Sequence, residues 1–366
     1  MSDTTQNGQN DRSGTEQLKT ATVQGFTVFN RAKFTFSRSL NVFVGENSTG
    51  KTHVLKLLYS ILAVSAEGSS KTASAPTKTQ FQSRIADKLI NVFRVERVGR
   101  LAARRQGPAR SDIALSFYNS ELDLACSFST HSKSEIIMRR LPSVRIRSTP
   151  VYIPTKELLT LVPEFVPIYD RLFLQVDETW RDTCVLLTAP MQRGPRDRRI
   201  RQLLDPLEEV MEGKLETDKT GRFFLRTSSG LMEIPLVAEG LRKLGMIARL
   251  IATGQLVDRG YLFWDEPESN LNPTLIRGIA RTIVELSKGG VQVFIATHSL
   301  FLLRELEILL SSAEYRQVKT RFFGLNKEPD GVIVEQGPTL DAIGSIASLD
   351  EDLQQSDRFL EASNLQ

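Results

Sequence analysis

The chain has 366 residues, of which 40% are hydrophobic and 25% are charged, and its formal net charge at pH 7 is +4. This composition is typical of an ordinary soluble protein with roughly two or three structural units of about 150 residues each. Its two cysteines, Cys126 and Cys184, exclude a disulfide framework and a cysteine metal site, and we expect both to be buried thiols.

The longest apolar stretch, Val54 to Ala66, is interrupted by Lys56 and is shorter than the about 20 residues that span a bilayer. The first residues also lack an apolar signal core. We therefore expect a cytoplasmic protein without direct membrane insertion.

The N-terminal part predicts a tail, a pair of strands and then a strand–loop–helix unit. Residues 1–18 are polar without apolar periodicity, so we expect a disordered tail. Apolar and polar residues roughly alternate from Thr22 to Phe36, which predicts two short strands. An apolar strand at Leu40–Val44 and a helical apolar pattern at 54–62 then flank one motif. The motif is Gly45-Glu46-Asn47-Ser48-Thr49-Gly50-Lys51-Thr52.

These eight residues have the form G-x-x-x-x-G-K-T, which is the spacing of a P-loop. Gly45 and Gly50 let the backbone curl so that successive N–H groups point at one anion, and the helix that begins near Lys51 adds its positive end. We expect Lys51 to reach the β- and γ-phosphates of ATP, and the Thr52 hydroxyl to ligate Mg²⁺. A glycine turn that merely ends a strand is the alternative interpretation.

The middle of the chain is β-rich first and helical afterwards. An exposed loop at 67–79 leads to a predicted helix at 81–95. Four strand-like runs then predict a small antiparallel sheet: 113–118, 122–128, 135–140 and 144–153. Residues 155–211 predict a mainly helical insert, and 215–234 predict two strands about a turn.

Two basic clusters lie in this middle part. One has eight basic residues opposed by Asp87 and Glu96. Its members are Arg84, Lys88, Arg94, Arg97, Arg100, Arg104, Arg105 and Arg110. The other is opposed only by Asp197, and its members are Arg193, Arg196, Arg198, Arg199 and Arg201. Such clusters can bind a phosphate backbone, which makes DNA or RNA a candidate partner, although a solvated basic face is the alternative.

The C-terminal part alternates helices and strands, which predicts a parallel sheet covered on both faces. A helical stripe from Val237 precedes the strand Tyr261–Trp264, which ends in Asp265-Glu266. Asn272-Pro273 predicts an N-cap and the first turn of a helix. The strand Val291–Ala296 then ends in Thr297-His298-Ser299. A closing hairpin at 321–335 and a helical tail from Leu340 complete the prediction.

Three side chains in this part carry candidate chemistry. A carboxylate that ends a buried strand beside a P-loop can hold Mg²⁺, which points to Asp265. The next carboxylate, Glu266, can polarise the water that attacks the γ-phosphate. His298 ends a strand at the sheet edge where ligands bind, so we expect it to contact the γ-phosphate. A strand-end turn and a structural histidine are the alternatives.

The motifs GENSTGKT, LFWDEPESNLNP and VFIATHS resemble the Walker A, Walker B with D-loop, and switch-histidine elements of ABC-type ATPases. The resemblance is closest to the SMC/RecF/OLD-like branch. The segments Tyr152–Leu159 and Val237–Gly245 also resemble stand-alone AAA-family ATP-binding proteins of bacteria. Some of those proteins belong to phage-defence or toxin–antitoxin operons. The resemblance covers roughly residues 22–336.

The resemblance implies an α/β P-loop NTPase fold with an ABC-type ATPase core, an antiparallel β subdomain and a helical insert. The core is expected at 19–66 and 231–338, the inserted β-sheet and helices at 67–230, and a C-terminal helical tail at 339–366. It also implies a homodimer or higher oligomer in which ATP is sandwiched between one subunit's P-loop and the other's signature helix and D-loop. The chain departs from the pattern, because Val237-Ala238-Glu239-Gly240 replaces the usual Leu-Ser-Gly-Gly signature. For the glutamine loop, Gln80 and Gln82 are candidates by position alone.

We therefore expect a Mg²⁺-dependent ATPase that acts as a nucleotide-gated switch for a separate effector protein or a nucleic-acid transaction, in anti-phage defence. The nucleotide-binding subunit of a membrane transporter is one alternative, and a slow regulatory ATP sensor is another. A P-loop kinase or GTPase would need base-recognition and acceptor features that the sequence does not supply.

Overall fold

The computed structural model of the chain describes residues 16–67, 77–103, 108–172, 174–191, 198–257 and 260–344, together with 351, 354–355, 358–359 and 361–362. Some of the sequence predictions lie outside these residues. They concern parts of the tails at 1–18 and 339–366, most of the loop at 67–79, and five charged residues: Arg104, Arg105, Arg193, Arg196 and Asp197.

The described residues form three β-sheets and the helices that cover them. The strands in chain order are β1 (Leu18–Phe26), β2 (Phe29–Thr35), β3 (Leu40–Gly45), β4 (Arg110–Phe117), β5 (Leu124–Ser129), β6 (Ile137–Arg140), β7 (Val151–Ile153), β8 (Gly213–Thr217), β9 (Phe223–Thr227), β10 (Gly230–Glu233), β11 (Tyr261–Asp265), β12 (Gln292–Thr297), β13 (Thr320–Glu328) and β14 (Gly331–Gly337). The α-helices are α1 (Lys51–Ala66), α2 (Lys78–Phe93), α3 (Phe165–Leu172), α4 (Glu178–Leu187), α5 (Arg198–Val210), α6 (Glu239–Ala252), α7 (Pro273–Lys288) and α8 (Leu300–Ser311).

The central sheet has the strand order β14-β13-β3-β12-β11-β7. Its neighbouring strands are parallel, except that β13 and β14 form the predicted closing hairpin. Val44 pairs with Thr297 and Ala296 pairs with Asp265, so β3, β12 and β11 end at the same edge of the sheet. This register brings the P-loop, the Asp265-Glu266 pair and His298 to one edge, where open α/β sheets bind ligands.

The central sheet is covered on both faces, as the sequence predicts. Every residue of β3, β11 and β12 is buried, which explains why these strands are apolar runs rather than alternating patterns. On one face the core contains Val42 together with α5, α6 and α7. On the other face it contains Phe43 together with α1, α2 and the second sheet. Cys126 and Cys184 are buried in these cores, and desolvation raises the pKa of each thiol to about 12.

The second sheet is antiparallel, with the order β2-β1-β4-β5-β6. It therefore combines the two strands that precede the P-loop with three strands that follow α2. The prediction that residues 144–153 also join it is wrong. Only Val151–Ile153 form a strand there, and this strand, β7, pairs in parallel with β11 in the central sheet. All three of its residues are buried, which is the burial pattern of a strand covered on both faces.

The third sheet has the order β10-β9-β8, where the sequence predicted only two strands. The additional break is a turn after β8 that is held by one side chain. Asp218 Oδ1 accepts hydrogen bonds from the backbone N–H groups of Thr220 at 2.8 Å and Arg222 at 3.0 Å. Such a side-chain-held turn contains no Asn-Gly or Gly-Gly pair to mark it in the sequence.

The helices agree with the pattern in most places. The segment predicted as mainly helical, 155–211, contains α3, α4 and α5. The predicted N-cap of α7 is confirmed, because Asn272 Oδ1 accepts the N–H of Leu275 at 3.0 Å and Pro273 is the first helical residue. Residues Leu340–Ile343 form a 3-10 helix. Within the part of the chain that the structure describes, none of the helices has the length and apolar character that a membrane crossing requires.

A buried glutamine joins the second sheet to the central sheet. Gln292, the first residue of β12, is fully buried. Its Oε1 accepts the N–H of Leu18 at 2.9 Å, and its Nε2 donates to the carbonyls of Leu18 at 2.8 Å and Ser37 at 2.7 Å. The side chain thus supplies the hydrogen bonds that a neighbouring strand would otherwise give to the start of β1.

We expect Gln292→Met to lower the free energy of unfolding by about 2–4 kcal/mol, because each buried backbone group left unpaired costs about 1–3 kcal/mol. Urea denaturation measures the change. Gln336→Met is the matched control, since Gln336 makes similar bonds to Thr35 and Lys33 at a half-buried position where water can replace them. Equal destabilisation by the two substitutions would contradict this role of Gln292.

Candidate functional site

The P-loop residues Gly45 to Thr52 form a tight curl between β3 and α1 whose glycines are required by space and backbone angle. A Cβ on Gly45 would lie 2.6 Å from the carbonyl oxygen of Leu325. Gly50 has a φ of +93° and precedes α1 directly, and a Cβ there would lie 2.6 Å from Val28 Cγ2. Ser48 also has a left-handed backbone. Thr49 is buried and its hydroxyl donates to the carbonyl of Glu46 at 2.8 Å, which fixes the curl.

Lys51 lies at the N-terminus of α1 with its charge turned into this curl. Its Nζ donates to the carbonyl oxygens of Gly45 at 2.6 Å and Glu46 at 2.9 Å. Desolvation lowers the pKa of Lys51, while the nearby carboxylates of Glu266 and Asp265 oppose this change. The result is a buried positive charge at the positive end of a 16-residue helix, which favours an anion.

Asp265 and Thr52 meet at the end of β11. The Thr52 hydroxyl donates to Asp265 Oδ1 at 3.0 Å, although the residues are 213 positions apart in the chain. The Tyr152 hydroxyl lies 3.4 Å from Asp265 Oδ2. Desolvation raises the pKa of Asp265 to about 6, and Glu266 adds to this rise, while the Thr52 hydrogen bond and the charges of Lys56 and Lys51 oppose it.

Glu266 and His298 form a hydrogen-bonded pair at the same edge. His298 Nδ1 lies 3.2 Å from Glu266 Oε1. The hydrogen bond with His298 lowers the pKa of Glu266, and the same bond raises the pKa of His298, with Glu268 adding to the second effect. Glu266 has a φ of 45°, a conformation that costs a non-glycine residue about 1–3 kcal/mol and that clusters at functional sites.

The turn after Glu266 is held to α6 by a buried lysine. Lys243 is only 2% exposed, and its Nζ donates to the carbonyls of Glu266 at 3.0 Å and Ser269 at 3.2 Å and to Ser269 Oγ at 2.9 Å. Desolvation lowers the pKa of Lys243 to about 8. Its three bonds fix the backbone that presents the catalytic candidate Glu266.

The altered signature segment Val237-Ala238-Glu239-Gly240 packs against the D-loop of the same chain, which is the part of the motif LFWDEPESNLNP around Asn270. Glu239 Oε1 accepts a hydrogen bond from Asn270 Nδ2 at 2.9 Å. A Cβ on Gly240 would lie 2.8 Å from Leu275 Cδ1 and 3.3 Å from the carbonyl oxygen of Asn270. Close helix packing therefore explains Gly240 without a phosphate contact.

A polar network connects α4 to the site. The Thr183 hydroxyl donates to the Tyr152 carbonyl at 2.6 Å, and the Tyr59 hydroxyl of α1 donates to Asp182 at 2.6 Å. Lys88 of α2 bridges Asp182 and Glu178, and Lys56 of α1 pairs with Asp177 at the N-cap of α4. The helix α4 is thereby tied to the P-loop helix, to α2 and to the strand of Tyr152.

The structure therefore brings Lys51, Thr52, Asp265, Glu266 and His298 together. The side chains of the two glutamine candidates have partners of their own: Gln80 closes the capping box of α2 with Thr77, and Gln82 accepts the N–H of Met138. Sequence reasoning gave no role to Tyr152, Lys243 or Glu268. Their only signal was position, since each lies inside a segment already singled out by its resemblance.

The basic clusters differ in how far their charge is neutralised. Four of the six described members of the first cluster pair with carboxylates, and a fifth, Arg94, bonds to Gln175. These pairs are Arg84–Glu67, Lys88–Asp182, Arg100–Glu96 and Arg110–Asp112. In the second cluster Arg198 and Arg201 are exposed at the start of α5, while Arg199 donates to the carbonyl of Gly289.

The donor set fits a magnesium triphosphate. Mg²⁺ prefers hard oxygen ligands, and the buried Asp265 carboxylate and the Thr52 hydroxyl supply two such oxygens side by side. Lys51 and the N-terminus of α1 supply positive charge for the phosphates. The 3.0 Å contact between the Thr52 hydroxyl and the buried Asp265 carboxylate is the observation that favours a cation at this position.

Comparisons with known proteins agree with this geometry. Residues 147–304 match the family model described as "AAA domain, putative AbiEii toxin, Type IV TA system". A search of curated proteins finds no match. The family match supports the expected resemblance to AAA-family ATPases over this part of the chain.

Solved structures of SMC head domains share the fold. An Smc head domain derived from Pyrococcus furiosus, with an extended coiled coil and bound to the C-terminal domain of ScpA, aligns with a TM-score of 0.51 and 11% identity over 95% of this chain and 99% of that one. An SmcHead bound to the C-winged helix domain of ScpA aligns with a TM-score of 0.52 and 12% identity over 89% and 98%. The chain thus has an α/β P-loop NTPase fold with an ABC-type ATPase core.

We expect the free energy of unfolding of the wild type to rise relative to that of Lys243→Met as the pH increases from about 8 to 10.5, the ordinary pKa of lysine. In this range the unfolded chain still binds a proton that the folded chain has released, so a rising pH favours folding of the wild type. The relative slope reaches up to about 1.4 kcal/mol per pH unit. Urea denaturation of both proteins across the range measures it. A constant difference between them would contradict the buried environment of the lysine amine.

Proposed function

We propose that the chain is a Mg²⁺-dependent ATPase whose nucleotide state gates a homodimer and, through it, a separate effector. The observation that carries the proposal is the convergence of a P-loop lysine, a strand-end carboxylate pair and a strand-end histidine at one edge of a parallel sheet. The 3.0 Å contact between Thr52 and Asp265 brings the two halves of the motif into one cleft.

Each residue has a role that follows from its position. Lys51 and the backbone N–H groups of residues 45–52 bind the phosphates, and Thr52 with Asp265 holds the metal. When bound, Mg²⁺ would neutralise the charge on the β- and γ-phosphate oxygens. Glu266 orients and polarises the attacking water, and His298 contacts the γ-phosphate. Tyr152 orients Asp265 through its second carboxylate oxygen.

The dimer and the effector rest on different support. Asn270 of the D-loop is hydrogen-bonded to Glu239 at the N-terminus of α6. The D-loop and the signature segment, which a sandwiched dimer would present to the partner's nucleotide, therefore lie side by side. The matched SMC heads are described as bound to a domain of ScpA, which supports a separate partner protein on this fold. The toxin–antitoxin wording of the matched family supports a role in a toxin–antitoxin or anti-phage defence system. We also propose that the protein acts in the cytoplasm.

One observation favours the slow regulatory sensor as a second candidate. Glu266 Oε1 is held by His298 at 3.2 Å, so this oxygen must leave the histidine before it can serve the attacking water. A fast ATPase that uses this oxygen makes the exchange in every cycle. The steady-state rate of phosphate release, with and without partner proteins, separates the two candidates.

We expect Glu266→Gln to retain ATP binding and to lower turnover at least about 100-fold, because the amide cannot act as a base. Nucleotide binding by fluorescence titration and phosphate release measure the two effects. Glu216→Gln is the control, since this carboxylate pairs with Arg226 in the third sheet. Hydrolysis by the Glu266 variant at the wild-type rate would overturn the assignment.

Nucleic-acid binding by the second basic cluster is a separate prediction. If DNA or RNA contacts several of these arginines, affinity falls steeply with salt, with a log–log slope of about −0.9 per contacted phosphate of duplex DNA. Replacing Arg193, Arg196, Arg198 and Arg199 together by alanine is expected to remove this binding. Affinity that ignores salt or survives the replacement would exclude the prediction, and Arg226→Ala controls for the loss of a paired charge.

A further inference from the structure

A third carboxylate, Glu268, lies next to the pair that Glu266 and His298 form. Its side chain is only 6% exposed. Its Oε1 accepts the Thr297 hydroxyl at 2.6 Å and faces the backbone N–H of His298 at 3.4 Å. One carboxylate oxygen therefore holds the last residue of β12 and the histidine that follows it.

The imidazole of His298 lies between two carboxylates. Its Nδ1 is 3.2 Å from Glu266 Oε1 and 4.0 Å from Glu268 Oε1. A ring nitrogen carries one N–H, so Nδ1 can serve only one of these acceptors well at a time. Because His298 is nearly half exposed, a small rotation of the ring suffices to exchange them. The charged groups that face the ring are Glu266, Glu268 and Lys51.

Packing does not explain a carboxylate at position 268. Among the described residues, no hydrogen-bond donor reaches its buried second oxygen, Oε2. A buried polar atom without a partner costs about 1–3 kcal/mol, so a neutral side chain of the same shape would be less costly here. The turn is held by the bonds of Lys243 to Glu266 and Ser269, and Glu268 is the leading carboxylate that opposes the lowering of the Lys243 pKa by burial. Its charge thus acts on the Lys243 amine, while its Oε1 contacts Thr297 and the backbone of His298.

We propose that Glu268 is a positioning residue that fixes His298 through Thr297 and the backbone, and accepts the Nδ1–H of His298 when Glu266 turns to the attacking water. This inference rests on the proposed function. Glu266 Oε1 stays on the histidine until Nδ1–H has a second acceptor, and Glu268 supplies that acceptor. The exchange moves no proton and breaks no covalent bond, because only the hydrogen-bond partner of Nδ1 changes.

Kinetics provide the first test. We expect Glu268→Gln to keep the KM for ATP and to lower kcat about tenfold, the equivalent of about 1.4 kcal/mol, since a charge-assisted hydrogen bond becomes a neutral one. In the His298→Ala background the same substitution should cause no further loss, because the residue acts through the histidine. Equal fold-losses in both backgrounds, or a wild-type kcat in Glu268→Gln, would overturn the proposal.

A matched control is available in the chain. Glu157 is a second glutamate whose side chain is 6% exposed, and it pairs with Arg242 at 3.1 Å. Glu157→Gln makes the same chemical change at the same burial. We expect it to leave kcat unchanged, and a loss equal to that of Glu268→Gln would show that any buried charge change suffices, which overturns the proposal.

A second readout does not need turnover. The chain has three histidines, His53, His131 and His298, so ¹⁵N-histidine spectra of the nucleotide-free protein are simple, and His298→Ala identifies the signal. We expect the titration midpoint of His298 to be lower in Glu268→Gln, because one neighbouring carboxylate is gone. An unchanged midpoint in Glu268→Gln, beside a lowered one in Glu266→Gln, would overturn the proposal. If the wild type fails to hydrolyse ATP, the proposed function fails, and this spectrum still decides whether Glu268 acts on His298.

Discussion

The contact between the Thr52 hydroxyl and the Asp265 carboxylate depends on the register of three parallel strands. β12 lies between the P-loop strand β3 and the carboxylate strand β11, and the three end together. Because side chains alternate between the faces of a strand, a shift of one residue would turn Asp265 away from the P-loop. Two side chains hold the ends of these strands. Gln292 bonds to Ser37 at the start of β12, and Lys243 bonds to the Glu266 carbonyl at the turn beyond β11.

The parts of the fold and site that the sequence predicted are those set by short-range chemistry. The P-loop needs glycine at two places, and the structure shows why. A carbonyl oxygen lies close to Gly45, and Gly50 has a positive φ. The N-cap at Asn272 depends on one side chain and one backbone N–H three residues later. The buried strands β3, β11 and β12 are recognisable because burial on both faces leaves an apolar run.

The remaining parts depend on contacts that no local pattern encodes. β7 has three residues, and its neighbour β11 lies more than 100 positions away, so neither length nor periodicity reveals its sheet. Tyr152 and Lys243 reach the site only because β7 and α6 pack against it. The role of Glu268 depends on its hydrogen bond to Thr297 at the end of β12. Gly240 is different, because its position at a helix N-terminus suggests phosphate binding, yet close packing against Leu275 also favours a glycine there.

The attachment of α4 has a mechanical consequence. Its first two turns are bound through ion pairs and hydrogen bonds to α1, to α2 and to the strand of Tyr152, whose hydroxyl lies against Asp265. Tyr152 is thus the one residue between α4 and the carboxylate of Asp265 in this chain of contacts. A displacement of α4 would therefore move the backbone of the residue whose hydroxyl faces Asp265.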